Sequence, residues 1–219
     1  MEIISLGGMG GCDLAASLRY LHYAAHPYDW LITTQSFIMD TFFEFNRFFE
    51  FEECYVFTGD DEHNVNVADP NDPTQTAVLY DPTKTAVMLH DFKYLTLEKE
   101  MVIQKYKRRF ARLHGALENN SNLLFVRLVP NPAHPSQSYL DTIFIREEDN
   151  FDKWNGFMKY LSEKFNKHIY MLLITDCPEH NWNPYHKHLI LKKVPDQTQK
   201  TIYYTMLEIK NNPPNFSIL

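Results

Sequence analysis

The chain has 219 residues and is 44% hydrophobic, 22% charged and 15% aromatic, a length and composition suited to one globular domain rather than a disordered chain. Its formal charge of −7 excludes a bulk nucleic-acid binder, which needs a basic footprint to displace counterions from phosphate. One small phosphate-binding pocket remains compatible with that balance.

Four glycines, Gly7, Gly8, Gly10 and Gly11, follow a β-type run over residues 2–6. They precede Leu14, Leu18 and Leu21, spaced as one face of a helix that Cys12 or Asp13 can cap. The segment reads as strand, glycine turn, helix. His26-Pro27-Tyr28-Asp29-Trp30 follows as an extended or turn segment, because Pro27 disfavours helical backbone at its predecessor. Residues 36–50 predict one aromatic-rich helix, and 58–76 a loop rich in Pro, Asp and Asn. Apolar runs at 77–80 and 86–89 predict strands, the second ending at His90-Asp91.

From Thr96 to about Asn119, Val102, Tyr106, Phe110, Leu113 and Leu117 recur at helical spacing; Lys105, Lys107, Arg108, Arg109 and Arg112 read as its solvated face. Residues 122–127 and 170–175 predict buried strands flanking a helix that Asn150 caps. Residues 188–191 predict a further strand, 200–209 stay ambiguous, and the portion from about 176 reads as irregular. Helical crossovers between short buried strands predict a mostly parallel sheet with helices on both faces. The expected fold is therefore a single Rossmann-like α/β domain over 1–219.

Ligands bind beyond the carboxyl ends of parallel strands, where the glycine turn, His90-Asp91, Arg127 and Asp176 are expected to gather. Glycines admit backbone N–H groups to an anion, so Gly7, Gly8, Gly10 and Gly11 read either as a phosphate cradle or as a tight turn needing positive φ. Cys12 at a helix start reads as a stabilised thiolate or as a small buried residue. Asp29, His90 and Asp91 are candidate acid–base groups, and Asp29 beside aromatics suits a sugar ring. Arg127, ending a buried strand, needs a phosphate or a carboxylate partner. Cys12, Cys54 and Cys177 form no CxxC pair, and the segment from Asp176 to His188 lacks HExxH spacing, so no disulfide framework or metal site is assigned. No signal segment and no run of about 18 apolar residues is read, so a cytoplasmic protein is expected.

The motifs SLGGMGGC at 5–12, HPYDW at 26–30, HDF at 90–92 and FVR at 125–127 resemble the DUF1796 family, labelled papain-like cysteine peptidase. The resemblance runs over about residues 3–175, with additional glycine before Cys12. It implies Cys12 as nucleophile, His90 as its base on an antiparallel sheet, and Asp91 as orienter. The residues read by themselves favour a different chemistry, a metal-independent glycosyltransferase. In that reading the glycine turn and Arg127 hold the diphosphate of a nucleotide-sugar donor. Asp29 or His90-Asp91 deprotonates a glycan acceptor, and no further cofactor is needed. A non-catalytic nucleotide-binding module is the third reading.

Overall fold

The computed structural model describes residues 1–8, 11–48, 53–57, 65–67, 76–80, 86–92, 95–119, 122–129, 149–177, 180 and 185–214. In chain order the elements are β1 (Glu2–Gly8), α1 (Gly11–Tyr20), β2 (Leu31–Thr33), α2 (Gln35–Thr41), α3 (Phe45–Phe48), β3 (Glu53–Phe57), β4 (Val65–Val67) and β5 (Thr76–Tyr80). They continue with β6 (Ala86–Phe92), α4 (Leu95–Asn119), β7 (Asn122–Leu128), α5 (Phe151–Phe165), β8 (His168–Thr175), β9 (Leu189–Lys193) and α6 (Gln199–Asn211).

Four strands form a wholly parallel sheet in the order β1-β7-β8-β9. Its strands are apolar at successive positions because both faces are covered, as parallel sheets require. Ile4 and Leu6, Leu123 and Phe125, and Met171 and Leu173 pack on one face with Phe110 and Leu113 of α4 and Trp154 and Met158 of α5. The intervening residues, among them Ile3, Val126 and Leu172, pack on the other with Leu14 and Leu18 of α1 and Ile202 and Met206 of α6. Each fully buried Leu or Ile is worth about 1.5–3 kcal/mol relative to exposure, so the two faces dominate the stability of this layer.

Helix caps fix where α2, α5 and α6 begin. Thr34, Asn150 and Thr198 accept the N–H of Phe37, Lys153 and Thr201 in turn. The ambiguous segment at 200–209 is therefore helical, and the portion from 176, expected to be irregular, contains both β9 and α6.

The other five strands form an antiparallel sheet in the order β2-β6-β5-β3-β4. This corrects the expectation that the strand bearing His90-Asp91 joins the parallel sheet. Only residues 81–85 separate β5 from β6, too short a connection for the crossover that parallel pairing demands. The predicted loop at 58–76 contains β4, whose Val-Asn-Val alternation is a strand signal, and its remaining described residue opens β5. Over its described residues the helix expected at 36–50 is two helices, broken where Glu44 N–H closes a turn onto the Thr41 carbonyl at 3.0 Å, and residues 49 and 50 lie outside the described residues.

The fold is thus mixed α/β, as expected. The order of the parallel strands, β1-β7-β8-β9, runs one way without reversal, so among the described residues it has no switch point of the kind where Rossmann sheets bind nucleotides. The two sheets meet where β2 lies beside β1, with the Thr33 hydroxyl donating to the Leu6 carbonyl at 3.1 Å. Among the described residues no helix is long and apolar enough to cross a membrane.

Candidate active site

The site forms where β1 turns into α1. Gly7 and Gly8 have φ of +68° and +113°, which side chains resist. A Cβ on Gly7 would stand 2.9 Å from both the Leu31 carbonyl oxygen and the Thr33 hydroxyl. On Gly8 it would strike the Leu128 carbonyl, and on Gly11 the Leu31 carbonyl. These glycines admit the backbones of β2 and β7, a reason for their presence that requires no phosphate. Gly10 lies outside the described residues.

Helix α1 begins at Gly11, so Cys12 and Asp13 fall in its first turn rather than at the cap. Cys12 is half-buried, and its Sγ lies 3.8 Å from the Trp30 carbonyl oxygen. A thiol in the first turn of a helix faces the positive end of the macrodipole, which favours the thiolate.

The HPYDW segment runs from His26 to Trp30, immediately before β2. Asp29 is buried, and its Oδ2 accepts the His26 backbone N–H at 2.9 Å. Burial pushes its carboxyl above the ordinary range, while that hydrogen bond and the His26 and Arg109 charges pull the other way. Arg109 Nη1 donates to the Asp29 carbonyl at 3.4 Å, and Arg112 Nε to the Ala25 carbonyl at 2.9 Å. Arg109 is therefore a buried support of the turn, not part of a solvated helix face. Its spacing of three from Tyr106 and four from Leu113 puts it near the apolar stripe, a signal present in the sequence. Tyr28 is fully buried with its hydroxyl 3.1 Å from Thr41 Oγ1, and burial raises its phenol well above the usual value.

His90 and Asp91 are placed by backbone register. Leu31 of β2 pairs with Met88 of β6, and the antiparallel direction carries His90 and Asp91 beyond that pair on the Trp30 side. Trp30 is the residue whose carbonyl meets Cys12. Topology therefore brings the start of α1 and the His90 end of β6 to the same end of β2. It does so on an antiparallel sheet, the setting that the resemblance implies for the histidine.

Arg127 sits close to the glycine turn, as expected, but with different partners. The fully buried guanidinium donates through Nε to both oxygens of Asp149, at 2.8 and 3.0 Å. Nη1 reaches the Leu6 carbonyl and Thr33 Oγ1, each at 3.3 Å, and Nη2 the Thr33 carbonyl at 2.9 Å. Trp154 Nε1 donates to the same Asp149 at 2.9 Å. This network ties β7, β2 and the start of α5 together, in place of the expected bond to a donor phosphate. Asp149 was missed because it stands outside any periodic run, although a buried arginine demands such a partner.

Asp176 follows β8, where Oδ1 accepts from Gln197 at 3.4 Å. The nearby histidines take separate partners: His180 meets Thr175 Oγ1 at 2.9 Å, His186 meets Asp152 at 2.7 Å, and His188 meets the Ile169 carbonyl at 3.0 Å. Among the described residues no three His, Cys, Asp or Glu side chains converge on a metal position.

Residues 1–166 match the family described as "Putative papain-like cysteine peptidase (DUF1796)", and the chain belongs to that family. The match includes Cys12, Asp29, His90, Asp91, Arg127 and Asp149 and stops before β8. No curated protein and no solved structure matches the chain. The family's description names a peptidase, which overturns the expected glycosyltransferase together with its nucleotide-sugar donor and glycan acceptor.

Proposed function

We propose that the chain is a cysteine peptidase in which Cys12 is the nucleophile, His90 the general base and Asp91 the group that orients it. The observation that carries this reading is the position of Cys12. It lies in the first turn of α1 against Trp30, at the end of β2 alongside which the His90 end of β6 runs. A helix start lowers the cost of forming a thiolate, and Cys12 is half-buried rather than sealed in the core.

The chemistry balances with water alone. His90 takes the thiol proton, and sulfur attacks the scissile carbonyl to form a tetrahedral adduct. Collapse of the adduct breaks the C–N bond, the departing amine takes the proton from His90, and a thioester remains. Water activated by His90 then hydrolyses the thioester, releasing the carboxylic acid and restoring the thiol. Family membership supports a peptide as the substrate.

A mixed peptide library with mass-spectrometric readout tests the proposal. Cleavage is expected with the parent protein and is lost in a folded Cys12→Ala variant, with His90→Gln lowering turnover by about 10²-fold or more. Undiminished cleavage by Cys12→Ala would overturn it.

A further inference from the structure

Three non-glycine residues among those described have positive φ: His22 at 65°, Trp30 at 68° and Asn166 at 51°. His22 and Asn166 follow the ends of α1 and α5, where left-handed backbone closes a helix; Asn166 N–H reaches the Glu163 and Ser162 carbonyls. Trp30 ends no helix. It directly precedes β2, and a bulky side chain with φ in this region is an outlier that its surroundings must enforce.

Those surroundings are present. Asp29 N–H meets the His26 carbonyl and Leu31 N–H the Tyr28 carbonyl, each at 3.3 Å, so the chain is pinned on both sides of Trp30. The Asp29 carboxylate and Arg109 hold the same turn from the side. Gly11 packs against the Leu31 carbonyl so closely that a Cβ would collide with it, which seats the first turn of α1 on this backbone. The outcome is a carbonyl oxygen 3.8 Å from Cys12 Sγ.

We infer that Trp30 is a positioning residue for Cys12, acting through its left-handed backbone, which aims its carbonyl at the thiol and keeps the proton on sulfur at rest. A thiol donates weakly to a carbonyl, whereas a thiolate meets only the oxygen's lone pairs, so this contact favours the protonated form. It opposes the pull of the helix start and directs the S–H bond toward the end of β2. The geometric claim concerns the thiol alone. Its catalytic meaning, a proton held for collection by the base, rests on the peptidase reading.

The test separates backbone from side chain. Infrared difference spectra of the parent protein against Cys12→Ala isolate the Cys12 S–H stretch, and alkylation followed at Cys12 by mass spectrometry gives its pH midpoint. The parent band is expected below the frequency of a free thiol. Trp30→Gly and Trp30→Asn accept positive φ and are expected to keep both band and midpoint. Trp30→Val resists that conformation; its band should rise toward the free-thiol frequency and its midpoint fall by about half a pH unit. A parent band at the free-thiol position would overturn the inference, as would equal midpoint shifts in the Gly and Val variants. If Trp30→Val does not fold, the bands of the parent and Trp30→Gly decide. A hydrogen-bonded band in a protein that cleaves no peptide would remove the peptidase reading and leave the positioning role standing.

Discussion

Asp149 and Asp29 are both buried carboxyl groups, yet they are partnered very differently. Asp149 receives the Arg127 Nε on both oxygens and the Trp154 indole on one. Asp29 receives one backbone N–H on Oδ2, and its Oδ1 has no hydrogen-bond partner. Neighbouring His26 has little more: Glu2 Oε1 lies 3.5 Å from Nε2, and Nδ1 has no hydrogen-bond partner. A charge buried with full coordination acts as a fastener, because loss of either partner strands the other. A carboxyl buried with half its coordination is held toward its neutral form and responds to pH.

The same chemical change, carboxylate to amide, should therefore separate the two sites. Asp149→Asn leaves the Arg127 charge without its counter-ion and is expected to cost about 3–5 kcal/mol in urea unfolding at neutral pH. Trp154→Phe removes one donor to Asp149 and should cost about 1–2 kcal/mol, including the lost ring volume.

Asp29→Asn should leave stability within about 1 kcal/mol of the parent at neutral pH, equal to it or above it, since a neutral amide removes the cost of burying the charge while its oxygen can still accept the His26 N–H. The sign follows from burial. A carboxyl raised above its ordinary 3.8 binds a proton in the folded state where the unfolded chain has released it. Parent stability should thus fall as pH rises through that window, and Asp29→Asn should lack this slope. A loss at Asp29→Asn as large as that at Asp149→Asn would erase the contrast.

The smallest effect belongs to Glu2, whose carboxyl is held below its ordinary 4.5 mainly by the hydrogen bond with His26. That contribution is present above the ordinary value and disappears as pH falls through the lower folded one. Because Glu2 is partly exposed, Glu2→Gln should cost no more than about 0.5 kcal/mol, and only above that range.

Local pattern made much of the parallel layer legible. The strands at 2–8, 122–128 and 168–175 carry apolar residues at consecutive positions, Ile3-Ile4, Leu123 to Val126 and Ile169 to Ile174, and α4 and α5 carry strict helical spacing. The antiparallel sheet was harder to read because its pairing is long-range and β2 is only three residues long, directly after a turn. The Cys12 and His90 motifs are visible in the sequence, but nothing local relates them; the β2–β6 register places the His90 end of β6 at the end of β2 that follows Trp30. The place of Arg127 at the end of a buried strand demands a partner. Choosing between phosphate and carboxylate required Asp149, which stands 22 positions away. The break between α2 and α3 has no mark in the sequence pattern, because Phe42 and Phe43 continue the apolar run through it.

The parallel sheet also sets an order of assembly. Strand β1 hydrogen-bonds to β7, pairing Glu2 with Leu123, and the entire antiparallel sheet and α4 are threaded between them. Closing so long a loop is entropically costly before any contact rewards it, and such topologies fold slowly. On the ribosome, β1 and the helix carrying Cys12 cannot dock until β7 has emerged. Cys12 thus precedes β7 in the chain yet is set in place only once β7 has paired with β1, so its seat against Trp30 is a late product of assembly.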